Sequence, residues 1–215
     1  MNNIPRHKVF ISYYHADDQY YKNYLIGMNE YIPCLGYQSI FDDYSVHENE
    51  VDDTGLTDEQ VRRIIRDDYI QDATVLVLLC GQNTKRRKHI DWEIHAAMYD
   101  GDVNPKMGIL VINLPSISGK QKMLACGNGE EQVMSSAFTT WTPIQKDVAY
   151  IEHDYPFLPN RIVINIARNN VSISVVNWDV IANDAEKLKY LIDRAFQRRK
   201  TNDYDHSDPL RRRNN

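Results

Sequence analysis

The stretch that decides the fold is ATVLVLLC, which runs from Ala73 to Cys80 and is followed at once by Gly81. It is almost continuously apolar. A run of this length is typical of a central strand in a parallel sheet, where helices cover both faces of the strand. We therefore predict a buried strand here, and we expect further strands and helices to alternate along the chain on either side of it.

Strand and helix patterns alternate around this run. Four other segments have the apolar, β-branched and aromatic composition of strands: Lys8–Tyr14, Tyr37–Phe41, Met107–Leu114 and Val171–Val176. Helical spacing or capping residues mark the segments Asp17–Tyr31, 57–68 with its Thr-x-x-Gln box, Asn83 or Thr84 to Gly101, Leu158–Arg168 and Asp184–Lys200. The alternation predicts an α/β fold, with a doubly wound, mostly parallel five-stranded sheet of flavodoxin-like type. Ligands of such sheets bind beyond the carboxyl ends of the strands.

Length and composition predict a single domain. A chain of 215 residues fits one compact unit, which we place at 1–200. The segment 115–158 contains glycines, serines and prolines but no sustained period, so we expect a partly ordered insertion after the fourth strand. Residues 201–215 are polar, and we expect them to form a disordered tail.

The net charge of −5 is concentrated in one block, because residues 42–72 hold eleven acidic residues against three arginines. An acidic balance argues against nucleic acid or a membrane surface as a partner. The longest apolar run is too short to span a bilayer, and the first ten residues lack the apolar core of a signal peptide. Three widely spaced cysteines form no zinc pattern and suit a reducing compartment, so we expect a soluble cytoplasmic protein.

The ionisable residue of most interest is Glu93. No GxGxxG follows a predicted strand, and GxxxxGK[ST], HExxH and GxSxG are missing. Glu93 lies on the flank of the apolar stripe of the helix after Gly81, with His89 one turn earlier on the same side. That helix begins at the carboxyl edge of the sheet, so we predict a partly shielded carboxylate. The alternative is an ordinary solvated glutamate near Lys88 or Arg86.

The acidic block has two interpretations of its own. Its carboxylates between Asp42 and Asp53 suit a cation, but their spacing does not follow the EF-hand pattern. The alternative is a solvated loop. Asp43 and Ser45 differ from the rest because they directly follow the second predicted strand. We predict that only these two members of the block reach a ligand pocket.

Several segments together resemble one known family. Their order and spacing are similar to those of TIR domains, and in particular to the stand-alone bacterial TIR-like group that includes the ThsB proteins of the Thoeris anti-phage system. The resemblance covers about residues 8 to 200. It is carried by Val9–Asp17 (VFISYYHAD), Asp43–Ser45 (DYS), Val77–Thr84 (VLLCGQNT), His89–Ile94 (HIDWEI), Pro156–Arg161 and Val175–Asp179.

The resemblance implies an activity. Catalytic TIR domains cleave NAD between nicotinamide and ribose with one glutamate, and that glutamate corresponds to Glu93 in this sequence. ThsB-like proteins convert the ADP-ribose part into a signal, such as a cyclic ADP-ribose isomer, which activates a separate effector protein. NAD is then the substrate, and neither a metal nor another cofactor is implied.

The resemblance also implies substrate-binding residues and partners. We expect hydrogen bonds to ribose or to the nicotinamide amide from Ser12, Asp43 and Ser45. We expect aromatic surface from Tyr13 or Tyr14 and from Trp92, and we expect His89 to be a further substrate-binding residue. The further expected partners are a second copy of the chain in a homo-oligomer and a phage-derived trigger that switches the enzyme on.

Two positions depart from the family pattern. Arg87 and His89 stand where the family often has Ser and Trp before the glutamate. A charged His89 is expected to pair with Glu93 and to lower the pKa of its carboxyl group. The departure leaves both nicotinamide stacking and the product open. Two other functions are compatible with the sequence: a non-catalytic TIR-type protein-interaction module, and a flavodoxin-like nucleotide-binding domain.

Overall fold

The computed structural model of the protein describes residues 5–45, 54–70, 72–101, 104–134 and 146–214. These residues form one five-stranded parallel sheet. Its strands are β1 (Lys8–Ser12), β2 (Asp42–Asp43), β3 (Val75–Cys80), β4 (Gly108–Asn113) and β5 (Ser174–Asn177). They lie side by side in the order β2-β1-β3-β4-β5. This is the flavodoxin-like strand order, so the predicted fold class is confirmed.

The apolar run forms the central strand, as predicted. All six residues of β3 are buried. The strand pairs in parallel with Val9–Ser12 of β1 on one edge and with β4 along its whole length on the other. Every side chain of β3 therefore faces protein, which explains why the run has no alternation of polar and apolar residues.

Helices cover both faces of the sheet. They are α1 (His15–Tyr31), α2 (Asp58–Ile64), α3 (Lys88–Met98), α4 (Asn128–Met134), α5 (Val148–Asp154), α6 (Asn160–Ile166), α7 (Trp178–Ile181) and α8 (Ala185–Arg198). One apolar cluster joins the sheet to α2, α3 and α6. A second cluster joins the opposite face to α1 and α8. The helices after β1 and β3 thus lie on opposite faces, as a doubly wound sheet requires.

Helix α8 packs closely on the sheet at Gly108. A Cβ at this position would lie 2.0 Å from the backbone oxygen of Ala195. The helix axis therefore approaches β4 more closely than any side chain would permit, and glycine is the residue that fits here.

The second strand lies later in the chain than the sequence predicts. The backbone N–H groups of Ile40 and Phe41 donate to Oδ1 of Asn29 on α1, and the Asn29 amide donates back to the Phe41 carbonyl oxygen. Because the Asn29 side chain already forms hydrogen bonds with the backbone groups of this segment, the segment does not pair as a strand. Pairing with β1 begins only at Asp42. The prediction of a strand at Tyr37–Phe41 is therefore wrong by a few residues.

Two helix boundaries also differ from their predictions. Helix α1 begins at His15 with Tyr14 as its N-cap, so Asp17 lies inside the first turn rather than at the cap. After β3 the chain forms a short 3₁₀ turn at Thr84–Arg86, and α3 begins only at Lys88. Arg87 between them is extended, with φ −94° and ψ 123°. In contrast, the capping box predicted at Thr57 is present.

The last residues are not a disordered tail, and that expectation is wrong. Arg161 on α6 forms a two-point ion pair with Asp91 on α3 and donates to the carbonyl oxygens of Asp208 and Pro209. The side chains of Tyr204 and Leu210 are buried. Polar backbone groups of this segment are thus satisfied by buried side chains, which the polar composition of the segment does not reveal. We call residues 203–214 the C-terminal strap.

The described parts of the 115–158 segment pack on the rest of the chain. Leu124 forms an isolated antiparallel bridge with Val175 at the outer edge of β5. The carboxylate of Glu130 is buried and accepts hydrogen bonds from Ser174 and Arg198. Residues 135–145 lie outside the described ranges. Among the helices that the structure describes, none has both the length and the apolar composition needed to cross a membrane.

Candidate functional site

The candidate site lies where β1 and β3 end. These two strands are neighbours, and the helices that follow them leave to opposite faces of the sheet. In open α/β sheets this divergence opens a crevice at the carboxyl ends of the strands. Ser12 is the last residue of β1 and is 1% exposed. Helix α3, which follows β3, carries Glu93 on the side of the crevice.

Ser12 and Glu93 meet in this crevice. The Ser12 hydroxyl donates a hydrogen bond of 2.6 Å to Oε2 of Glu93. The two residues are 81 positions apart in the sequence. Glu93 is partly exposed as a residue, although protein atoms surround its carboxyl group closely. The structure therefore brings together the predicted catalytic residue and one predicted substrate-binding residue.

The electrostatic state of Glu93 differs from the expectation. Burial raises the pKa of its carboxyl group to about 7, although the hydrogen bond from Ser12 acts in the opposite direction. The lowering of this pKa that we expected from a charged His89 stays a prediction, and in the structure the cost of burying the charge is the largest effect on Glu93. Among the described residues, no arginine, lysine or histidine contributes to the pKa of Glu93.

Tyr14 and Arg87 flank this pair. The Arg87 guanidinium lies over the Tyr14 ring, with 3.8 Å between its central carbon and the ring centroid. Tyr14 packs against the same apolar cluster as α3. Tyr13 belongs to the opposite face, where it packs against the second cluster and donates to Oε1 of Gln19. Of the two predicted tyrosines, only Tyr14 lies on the Glu93 side of the sheet.

Asp43 and Ser45 lie beside the end of β1. The Ser45 hydroxyl accepts a hydrogen bond of 3.0 Å from the backbone N–H of Ile11. Asp43 is exposed, and its Oδ1 accepts from the backbone N–H of Ser45 at 2.9 Å. The Asp43 side chain therefore stabilises the turn after β2, and the Ser45 side chain connects this turn to β1 at Ile11, the residue before Ser12. The rest of the predicted acidic loop, residues 46–53, lies outside the described ranges.

Trp92 does not offer a surface to a ligand, and its predicted role is corrected. It is 0% exposed, and its indole N–H donates to the carbonyl oxygen of Arg211 in the C-terminal strap. Trp92 follows Asp91 and precedes Glu93, so helical geometry directs it away from the crevice. His89 is partly buried in the first turn of α3, where its ring contacts the Trp92 ring edge-on, with 4.8 Å between the two ring centroids.

Asp18 is a residue that the sequence did not single out. It is 3% exposed, and its carboxyl group lies so close to Gly81 that a Cβ there would be 2.7 Å from Oδ2. This Oδ2 has no hydrogen-bond partner among the residues that the structure describes. Burial and the charge of Asp17 raise the pKa of Asp18 to about 6. In the sequence it is an ordinary acidic residue of a first helical turn, and no pattern marks it.

Buried amides close the other half of the sheet edge. The Asn113 amide at the end of β4 donates to Asn177 at the end of β5 at 2.9 Å, and Gln121 donates to Asn113. All three side chains are buried. No three His, Cys, Asp or Glu side chains within the described ranges are arranged to hold a metal ion.

Comparison with known proteins gives one family. The family model described as "Thoeris protein ThsB, TIR-like domain" matches residues 10–118. The matched range is about half of the chain, and it contains the end of β1, the whole of β3 and α3, and both Ser12 and Glu93. No curated protein matches the chain.

Proposed function

The chain belongs to the family of ThsB TIR-like domains of the Thoeris system, and from this premise we propose that it is an NAD-consuming enzyme of antiviral defence. Glu93 is the catalytic residue. The enzyme breaks the bond between nicotinamide and ribose and forms an ADP-ribose-derived signal, which is cyclic and activates a separate effector protein. NAD is the substrate, and no cofactor takes part.

The observation that supports this proposal is the partly buried Ser12–Glu93 pair, in which the Ser12 hydroxyl holds a carboxyl group whose pKa burial raises to about 7. Nicotinamide carries a positive charge in NAD and leaves as a neutral molecule, so its departure needs no general acid. The electron pair of the C–N bond goes to the pyridine nitrogen, and the ribose C1′ becomes an oxocarbenium-like cation. A fixed carboxylate in a shielded site stabilises that cation in the transition state.

The pKa of Glu93 suits a second task. Water, or a hydroxyl group of the same ADP-ribose molecule, must lose a proton when its oxygen captures C1′. A carboxylate with a pKa of about 7 is well matched to accept this proton at neutral pH. Capture by an internal group closes a ring and requires that water is kept from C1′. The partly buried position of Glu93 favours that outcome.

The regulation and assembly of the enzyme are part of the proposal. We expect activity to appear in response to a phage-derived trigger, and we expect the active form to be a homo-oligomer. The effector is reached through the diffusible product rather than by contact with this chain.

Nicotinamide release from NAD tests the proposal. The purified protein is incubated with NAD, with and without an extract of phage-infected cells, and the products are separated and weighed by mass spectrometry. We expect nicotinamide together with a product that is one water lighter than ADP-ribose. Glu93→Gln should abolish release, whereas Glu186→Gln, at an exposed glutamate of α8, should leave it unchanged.

Turnover by Glu93→Gln at the wild-type rate would refute the assignment of the site. If no condition releases nicotinamide and Glu93→Ala leaves assembly unchanged, the protein is instead a non-catalytic interaction module. Purification with a bound, ultraviolet-absorbing nucleotide that is never cleaved would point to a nucleotide-binding domain.

A further inference from the structure

A short basic run, Lys85 to Lys88, precedes Glu93, and its four side chains have different surroundings. The Lys85 ammonium donates to the carbonyl oxygen of Pro156, and Lys88 lies 5.1 Å from the centroid of the Trp92 ring. Arg86 is exposed. Arg87 alone is held over Tyr14, beside the crevice.

Two contacts connect α3 and its N-cap to the end of β1. One is the Ser12–Glu93 hydrogen bond, and the other is the stacking of Arg87 on Tyr14. Ser12 and Tyr14 are two residues apart, and Arg87 is the N-cap of the helix that carries Glu93. Six helical residues correspond to about 9 Å along the axis. A carboxylate and a guanidinium therefore border the same crevice without neutralising each other.

Arg87 is partly exposed as a residue. Its Nε is buried and has no acceptor among the residues that the structure describes, and no carboxylate within those ranges forms an ion pair with its guanidinium. A buried donor without a partner is costly. The stacking contact fixes the face of the guanidinium, so its N–H groups point sideways in a fixed plane. That arrangement matches an acceptor with two oxygens, such as a phosphate.

We propose that Arg87 binds the diphosphate of the substrate. This inference rests on the proposed NAD-cleaving function. NAD carries a positive charge on nicotinamide and negative charges on its diphosphate, with one ribose between them. Glu93 and Arg87 present the opposite signs in the same order along the crevice. Arg87 also explains how a chain with a net charge of −5 holds an anionic dinucleotide. It is thus a specificity residue that selects dinucleotides over nicotinamide riboside, which has no phosphate.

Steady-state kinetics with two substrates test this role. For Arg87→Gln we expect the KM for NAD to rise about ten- to hundredfold while kcat changes little, because a charge-assisted phosphate contact is lost in ground state and transition state alike. Arg87→Lys should show an intermediate KM, since the charge stays and the planar fork is lost. The kinetics with nicotinamide riboside should be unchanged. Arg86→Gln is the matched control and should behave as the wild type.

Equal losses with NAD and with nicotinamide riboside would overturn the proposal, and so would an equal rise in KM for Arg86→Gln. Direct binding separates this inference from the proposed function. In the Glu93→Gln background, calorimetry with ADP-ribose should show at least tenfold weaker binding when Arg87→Gln is added. Undiminished binding overturns the Arg87 site even if NAD is cleaved. Weakened binding supports it even if no variant releases nicotinamide. If Arg87→Gln does not fold, Arg87→Lys decides by the same measurement.

Discussion

The hydroxyl of Ser12 lies 2.6 Å from Oε2 of Glu93 and donates a hydrogen bond to it at the carboxyl edge of the sheet. This contact joins the last residue of β1 to the helix that follows β3. It is the only effect resolved on Glu93, within the described residues, that favours the ionised carboxylate, and burial opposes it. The pair therefore sets how much of the active carboxylate form exists at a given pH.

Replacing Ser12 by alanine should shift the pH dependence of activity. With a pKa of about 7 for Glu93, kcat/KM for NAD should rise from acidic pH and level off above neutrality, because the carboxylate is the active form. Ser12→Ala removes the hydrogen bond that lowers this pKa. The acid limb should then move to higher pH by roughly half to one pH unit. Ser116→Ala, at an exposed serine, is the control. An unchanged or acid-shifted limb would contradict the assignment of Glu93.

Glu93→Gln should stabilise the fold at neutral pH. The pKa of Glu93 is about 7 in the folded protein against an ordinary value of 4.5, so the folded state holds this proton more tightly than the unfolded chain does. The wild type therefore loses stability as the pH rises from about 4.5 to about 7. The full difference amounts to about 3 kcal/mol.

Glutamine cannot ionise, so the stability of the variant should not fall in this way as the pH rises. The free energy of unfolding, measured in urea at several pH values, should be similar for both proteins near pH 4.5 and higher for Glu93→Gln at pH 7 and above. Asp18, whose pKa is also raised, is present in both proteins and cancels in the difference. A constant difference across this range would show that Glu93 is not the group concerned.

Removing Arg161 should strongly destabilise the protein. Its guanidinium is 2% exposed, pairs with Asp91 and donates to two carbonyl oxygens of the C-terminal strap. Breaking a buried pair from one side typically costs about 3–5 kcal/mol, since the partner charge is left buried. We expect a loss of that size for Arg161→Ala in urea unfolding. Arg213→Ala, at an exposed arginine of the same strap, should change stability by less than about 0.5 kcal/mol. Equal small effects would mean that the strap does not hold α3 and α6 together.

Two glycines should respond to alanine in opposite ways. At Gly108 the new methyl group would meet backbone atoms of α8, which cannot move away as a flexible side chain does. We expect a loss of at least about 1–3 kcal/mol. Gly27 lies exposed in α1 with no atom near the position of a Cβ. Gly27→Ala should raise stability by up to about 1 kcal/mol. Unfolding curves in urea measure both changes, and a tolerated Gly108→Ala would contradict the close approach of α8 to β4.

Local patterns were sufficient for most of the fold. The apolar run at Ala73–Cys80, the capping box at Thr57 and the amphipathic helix after Asp184 each depend on residues a few positions apart, and each is present. The errors fall where a distant side chain intervenes. Asn29 satisfies the backbone at Ile40 and Phe41, and Arg161 orders a strap that the composition indicated to be disordered.

The candidate site also has features that local sequence patterns predict and features that depend on distant residues. Its edge of the sheet and the flank of the helix that carries Glu93 follow from side-chain periodicities of two and 3.6 residues, which are local properties of the chain. Other features of the site depend on residues that are distant in the sequence. They are the hydrogen bond of Glu93 with Ser12, the Glu93 pKa of about 7, the burial of Trp92 and the stacking of Arg87 on Tyr14. They depend on which strands become neighbours and in what register. Burial and electrostatics are set by all the atoms that surround a group, so packing of the whole chain decided them.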